Sequence, residues 1–226
     1  MHKFSILIIA VACIGTARAQ IAPSASEVAS YGGLLAASAK DDTAAIATLA
    51  ASGAPVDVRD SHGRTPLIVA AHRGNHRAMR ALVAAGADAN ALDSDRYDIV
   101  TVAAVANDVP TLELALALGA RAGNVTSRYD GTALIAAAHL GHAQVVRTLI
   151  RAGAPLDHVN NLGWTALIES IVLGDGGTRH VDTLRALVDA GANVNLPDRN
   201  RSTPLALAKS RGYGEMVAIL TRAGAK

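Results

Sequence analysis

Apolar residues recur along most of the chain in short stripes, each about two helical turns long and bounded by glycine. The stretch 63–90 shows the unit, because one apolar run ends near Gly74 and a second stripe, Met79 to Val83, ends at Gly86. Glycine ends a helix well, since it readily adopts the left-handed conformation of a cap. The pattern therefore predicts a helix, a turn and a second helix.

The unit is repeated along the chain, and a Gly-Ala pair marks the end of each copy. The pairs begin at Gly53, Gly86, Gly119, Gly153, Gly191 and Gly224, with separations of 33, 33, 34, 38 and 33 residues. A fixed period of this size is typical of solenoids, in which each unit packs on the next. Six repeats are predicted, approximately at residues 32–61, 62–94, 95–127, 128–161, 162–199 and 200–226.

Four repeats open with a Thr that can cap a helix, followed by Pro or Ala and then Leu. These openings are Thr65-Pro66-Leu67, Thr132-Ala133-Leu134, Thr165-Ala166-Leu167 and Thr203-Pro204-Leu205; the third repeat opens at Asp98 and the first at Gly32. With the period, the central Gly and the closing Gly-Ala, this sequence closely resembles the ankyrin repeat family over residues 32–226. The resemblance implies an all-α solenoid of about six helix-turn-helix repeats joined by β-turn fingers, with a concave surface that binds another protein.

Two departures from the family pattern stand out. The His that commonly follows the opening Thr by three residues is replaced by Ile68, Ile135, Ile168 or Ala206. Apolar packing is therefore expected in place of its hydrogen bonds. The fifth repeat carries five extra residues, Asp175 to Arg179. We expect them to lengthen the inter-helix loop without touching either helix, as a tolerated insertion or as a contact loop beside the groove.

The first 19 residues differ in kind from the repeats. His2 and Lys3 precede a short apolar run, which ends in Ala17-Arg18-Ala19. This order is typical of a secretory signal peptide. Cys13 leaves open the alternative of a lipoprotein, although the residues before it are a poor lipidation signal. Residues 20–31 are small and polar and are predicted to form a flexible N-terminal tether.

Removal of the signal peptide changes the charge balance. The full sequence has 21 Lys and Arg against 19 Asp and Glu, and loss of Lys3 and Arg18 makes the two totals equal. Such a chain has no general attraction to nucleic acid or to an anionic membrane. We expect a protein partner, no nucleic acid, no stable membrane insertion after cleavage, and a monomer when the protein is alone.

No arrangement of residues indicates a catalytic, cofactor or metal site, and the protein is predicted not to be an enzyme. His72 and His76 lie on either side of Gly74, and His139 lies two repeats beyond His72. Both pairs are poorly placed to share a zinc ion. His142 and His180 occupy structural positions of the ankyrin pattern. A metal-dependent hydrolase that uses His72, His139 and nearby acids is the alternative from a different class.

The resemblance places the binding surface on the finger tips and on the exposed ends of the inner helices. Aromatic and Arg side chains at such positions are favoured in interfaces. The candidate partner-binding residues are Arg64, Tyr97, Trp164 and Arg199 on fingers and His72, Arg73, His139, Leu140, Val172 and Leu173 on inner helices. The apolar members are expected at the centre of the contact and the arginines at its rim.

These observations favour a non-catalytic, protein-binding scaffold in the periplasm, with secretion as a further destination. Some bacterial periplasmic ankyrin proteins are associated with peroxide defence, so the resemblance also suggests support or regulation of a partner enzyme in stress defence. An exported effector that binds a host protein is the remaining alternative.

The exported chain is predicted to begin at Gln20, because the small residues Ala17 and Ala19 suit a signal-peptidase site. The intact mass of protein recovered from the periplasm checks this directly. A mass that includes Met1, or a lipid attached to Cys13, would contradict the prediction.

Overall fold

The computed structural model of the protein describes residues 21–226, so the predicted signal peptide and Gln20 lie outside the described residues. Within this range the chain forms thirteen helices and no extended strand; Thr126 and Gly131 form an isolated β-bridge. None of these helices is both long and apolar enough to cross a membrane. The observed fold is the predicted all-α solenoid.

Twelve helices form six antiparallel pairs. The inner helices are α2 (Gly33–Ala39), α4 (Pro66–His72), α6 (Ile99–Val105), α8 (Ala133–Leu140), α10 (Ala166–Val172) and α12 (Pro204–Ser210). The outer helices are α3 (Thr43–Ala51), α5 (His76–Ala84), α7 (Val109–Ala117), α9 (Ala143–Arg151), α11 (Thr178–Asp189) and α13 (Gly214–Arg222). Inner helices pack on inner helices and outer helices on outer helices.

The opening residue of each of the last five repeats caps an inner helix, as the sequence predicts for the Thr residues. Thr65, Thr132, Thr165 and Thr203 each accept a hydrogen bond from the amide three residues later. Asp98 does the same for Thr101 at 2.8 Å. These bonds satisfy amide groups that have no partner within the first helical turn.

The core is one helix pair thick and runs along the whole solenoid. Small residues such as Ala70 and Ala137 are fully buried between inner helices, while Leu82, Leu149 and Leu187 fill the space beneath the outer helices. Small side chains let the inner helices approach closely. Because each pair has apolar surfaces on both sides, every internal repeat depends on two neighbours for burial.

Side chains at the start of the outer helices join each repeat to the preceding one. Asn75 donates to the carbonyl of Ser38 at 2.8 Å, and a ring nitrogen of His142 lies 3.0 Å from the carbonyl oxygen of Ala104. In the same way, the ring of His180 is bonded to the carbonyl of His139 at 3.0 Å. These contacts confirm the structural assignment of His142 and His180, because each ring satisfies a carbonyl at an inner-helix end.

The N-terminal segment differs from the predicted flexible tether. Residues Ala25–Ser30 form an additional helix, α1, in which Ser24 and Glu27 make a capping box. Helix α1 contacts α2, and Glu27 pairs with Arg64 of the second repeat. The tether assignment is therefore wrong for this part, because polar contacts with a residue 37 positions away fix the segment in place.

The five-residue insertion also differs from the expectation of a separate loop. Thr178 and Arg179 form the beginning of α11, which is longer than the other outer helices by three residues. Asp175 Oδ1 lies 2.9 Å from Nδ1 of the buried His180. Gly176 lies against the Tyr213 ring of the sixth repeat, so closely that an added Cβ would meet Tyr213 Cδ1 at 2.5 Å. The insertion therefore extends a helix and contributes to the junction between the fifth and sixth repeats.

We expect deletion of residues 175–179 to lower the free energy of unfolding by about 1 to 3 kcal/mol, because it removes a helix start and the acceptor beside His180. Thermal and urea unfolding would measure the change, with Thr178→Ala as a control at an exposed position of the same segment. An unchanged melting temperature in the deletion variant would show that the segment is a dispensable loop.

Candidate partner-binding surface

Five fingers connect each outer helix to the next inner helix; we define them as residues 59–64, 92–97, 125–131, 159–164 and 197–202. In four of them the second residue, Asp60, Asp93, Asn160 or Asp198, accepts hydrogen bonds from the amides two and four residues later. The side chain thus closes the turn on itself, as Asp and Asn commonly do. Sequence analysis did not predict these side-chain bonds within the turn, although an Asp or Asn recurs five residues before the helix cap.

Neighbouring fingers are also joined to one another. The Ser94 amide donates to the His62 carbonyl at 2.9 Å, and the Asn161 amide donates to the Tyr129 carbonyl at 2.9 Å. Ion pairs reinforce the second and third fingers, with 2.8 Å between Arg96 and Asp130. The fingers therefore form a continuous edge along one side of the solenoid.

The two predicted aromatic anchors stand on this edge. Tyr97 and Trp164 are each half-buried, and each is the last residue of its finger. Their backbone amides are held by Asp93 at 2.8 Å and by Asn160 at 3.0 Å. A half-buried aromatic ring on an ordered backbone offers apolar surface at low entropic cost, which suits a contact with another protein.

The predicted apolar inner-helix residues are partly covered. Leu140, Val172 and Leu173 are half-buried at the ends of α8 and α10. The structure brings His139 and Leu140 beside this part of α10, because α8 and α10 pack directly on each other. These residues and Trp164 belong to the same two repeats.

Larger apolar exposure lies on the fingers, where sequence analysis did not place it. Val125 is 40% exposed, Val159 is 49% exposed and Leu162 is 40% exposed. Val125 and Val159 begin neighbouring fingers, and Leu162 is two residues before Trp164. The repeat register contained this signal, since it places these three apolar residues in the turns between helices.

Arg64 is not available at the rim of the surface, contrary to the prediction. Its side chain is only 1% exposed. The guanidinium group donates to Asp60 at 2.7 Å, to the Ile21 carbonyl at 2.9 Å and to the Glu27 carboxylate. Arg64 is therefore buried and holds the N-terminal segment against the second repeat, because that segment supplies acceptors that the finger alone lacks.

The other two predicted rim arginines remain exposed, although both make internal contacts. Arg73 Nε donates to the Ala39 carbonyl at 2.8 Å. Arg199 bonds the Asn161 carbonyl, and its side chain crosses Gly163, where an added Cβ would overlap the Arg199 Cγ. Gly163 has a φ of 84°, so this finger needs glycine for both conformation and space.

His72 is half-buried, and the structure keeps it apart from His139. The two residues lie on α4 and α8, with α6 between them. Burial, followed by the nearby Arg64 charge, lowers the pKa of His72 to about 4. At neutral pH this ring is therefore uncharged.

His139 belongs to a polar cluster that the sequence did not reveal. Its Nδ1 lies 3.6 Å from Oε2 of Glu169 on α10, whose side chain is 5% exposed. The other carboxyl oxygen, Oε1, accepts a hydrogen bond from Asn160 Nδ2 at 2.9 Å, whereas Oε2 has no hydrogen-bond partner. Burial raises the pKa of Glu169 to about 7, and burial lowers the pKa of His139 below its usual value.

Among residues 21–226, no group of three or more His, Cys, Asp or Glu side chains has the arrangement needed to hold a metal ion. The cluster of His139 and Glu169 contains two such side chains and one amide, Asn160. Its evident chemistry is proton exchange and hydrogen bonding.

We expect stability to fall between about pH 5 and 8 because of Glu169. Between the two pKa values the unfolded chain has released the Glu169 proton that the folded protein still holds. The stabilisation that this proton gives the folded state therefore decreases as pH rises and is lost above the folded pKa of about 7. The pKa of about 7 against an ordinary 4.5 makes the loss about 2 kcal/mol between pH 5.5 and 8. Urea unfolding at both pH values should show a smaller fall for Glu169→Gln, while Glu113→Gln, at an exposed site, should resemble the wild type. Equal falls in all three proteins would contradict this assignment.

The sequence comparisons agree with this architecture. The chain matches the family described as ankyrin repeats (3 copies) over residues 34–123 and 100–198. The putative ankyrin repeat protein YahD of Escherichia coli K12 is 37% identical over 103 residues, which cover 45% of this chain and 51% of that protein. The matched part of the chain thus spans about half the length of that relative.

Solved structures are similar over most of the chain. An ankyrin repeat domain from Acinetobacter baumannii AYE has a TM-score of 0.79 and 44% sequence identity, with 85% of this chain and 98% of that chain covered. The ankyrin repeat protein EF0377 has a TM-score of 0.77 and 32% identity, with coverages of 84% and 97%. Ankyrin repeats mediate protein–protein interactions and generally serve as non-catalytic scaffolds. The chain belongs to the ankyrin repeat family.

Proposed function

We propose that the protein binds a protein partner through the finger edge and inner-helix ends of its fourth and fifth repeats. The observation that carries this proposal is the position of the apolar surface. Of the four large apolar side chains exposed among residues 21–226, Val125, Val159 and Leu162 lie on fingers. Exposed apolar side chains grouped beside an aromatic residue are typical of a recognition surface.

Trp164 is the centre of the proposed contact. It follows Leu162 on the same finger, and the half-buried Val172 and Leu173 end the helix that this finger opens. Arg73 and Arg199 stand at the exposed edge of the array, where their charges would steer an approaching partner more than they would strengthen the final complex. Tyr97 provides a second aromatic contact two repeats away.

The proposed location is the periplasm, which rests on the signal-peptide pattern of residues 1–19. A partner enzyme in stress defence is the proposed biological setting, by similarity to other exported ankyrin proteins. A periplasmic pull-down with the purified protein, followed by a stoichiometry measurement, would identify the partner and would show whether it is an enzyme.

Trp164→Ala should weaken binding of the recovered partner roughly thirtyfold, because truncation of an aromatic anchor commonly costs about 2 kcal/mol or more. The affinity would be measured by calorimetry, and the melting temperature should stay close to that of the wild type. Arg151→Ala is the matched control, since Arg151 is exposed on outer helix α9.

Two results would contradict the assignment. Unfolding of the Trp164→Ala variant would show that this ring belongs to the core. Unchanged affinity in that variant, together with a loss in Arg151→Ala, would place the contact on the outer helices.

A further inference from the structure

Two residues near the start of the fifth repeat, one on the finger 159–164 and one on α10, depart from the repeating pattern together. Four residues after the helix cap, repeats two, three, four and six have Val69, Val102, Ala136 and Leu207, whereas the fifth repeat has Glu169. At the finger-closing position, three fingers have an Asp, whereas this one has Asn160. The two departures meet in one hydrogen bond, from Asn160 Nδ2 to Glu169 Oε1 at 2.9 Å.

The amide group of Asn160 allows it both to close the finger and to bond Glu169. Its oxygen accepts from the amides of Leu162 and Trp164 at 3.0 Å, as an Asp does in other fingers, while its nitrogen can also donate to Glu169. An Asp at this position has no such donor and would repel an ionised neighbour. The carboxyl group of Glu169 is therefore connected through one side chain to the two amides that close the finger.

The surroundings of Glu169 contain few charges. His139 approaches from α8, and His180 is the only buried titratable residue of α11, where it bonds to Asp175. The charged residue of α12 is Lys209, which is exposed, and the finger 159–164 contains no charged side chain. Within the described part of the chain, His139 is the only basic side chain that lies within 4 Å of the carboxyl group, and no Lys or Arg pairs with it.

The two protonation states of Glu169 fit this site differently. A neutral carboxyl group keeps Oε1 as an acceptor for Asn160 and can donate through Oε2 towards the uncharged His139 ring after a small rotation. An ionised carboxyl group leaves a buried negative charge opposite a ring that also tends to be neutral. The bond from Asn160 favours this ionised form, but the larger effect of burial opposes it. A charged Oε2 therefore needs hydration that the closed site does not supply.

We propose that Glu169 is a positioning residue that holds the finger 159–164 through Asn160, so that its loss of a proton loosens the finger and weakens partner binding. The inference rests on the proposed function for its second half only. The effect on the finger belongs to the protein alone and can be measured without a partner.

The fluorescence of Trp164 reports on the conformation of the finger 159–164, because Trp164 is the only Trp in the chain. We expect its fluorescence to change between pH 5.5 and 8.5 with a midpoint near neutrality, accompanied by faster hydrogen exchange of the Leu162 and Trp164 amides at high pH. Glu169→Gln should lack this midpoint and retain the low-pH spectrum, whereas Glu113→Gln should behave as the wild type.

Two further variants separate Glu169 from its neighbours. Asn160→Asp should move the midpoint upwards, because a second carboxyl group disfavours ionisation of the first. His139→Gln should keep a transition that depends on Glu169. A midpoint that survives in Glu169→Gln, or a wild-type signal that stays constant while the protein remains folded, would overturn the proposal.

The partner recovered in the pull-down then tests the second half. Wild-type affinity should be roughly fivefold weaker at pH 8 than at pH 6, which is the change expected across this range if the pKa of Glu169 is higher by one in the bound protein than in the free protein. Glu169→Gln should remove that dependence. Equal wild-type affinities at both pH values, despite a spectral transition, would overturn the link to binding; unchanged affinity in Trp164→Ala would instead overturn the proposed function.

Discussion

The structure depends on the inability of one helix pair to bury its own apolar surfaces. Each internal inner helix has small side chains on two sides, as in Ala103 and Ala104 of α6, and these become buried only when both neighbours are present. Close approach of the inner helices also fixes the spacing of the fingers. The position of every surface residue is therefore a consequence of stacking, and a change at one repeat is transmitted to the next.

Polar side chains then set the order and angle of the stack. His142 and His180 bond carbonyl groups of the preceding repeat. These two histidines, a residue type that often binds metal ions, therefore connect neighbouring repeats. At the N-terminal end, Arg64 connects the second repeat to Ile21 and to Glu27 of helix α1. Buried polar groups of this kind specify one register, because a shifted stack would leave them without partners.

The fourth and fifth repeats combine the features expected of a recognition surface with an unusual internal support. Trp164 and Leu162 occupy a finger whose closing residue also contacts a buried carboxyl group, Glu169. Most fingers close on themselves and carry no connection to a titratable group in the helix layer. A surface that depends on such a group can respond to pH, while the rest of the solenoid keeps its packing.

The sequence by itself determined the period, the helix-turn-helix unit and the cap at Thr65, because these depend on residues close together in the chain. It also located Tyr97 and Trp164 on fingers through the repeat register. Only the tertiary structure decided that Arg64 is buried, that helix α1 is held against the second repeat and that Glu169 lacks a partner for one oxygen. Each of these properties depends on side chains brought together by stacking, and burial of a polar group has no local signature in a sequence.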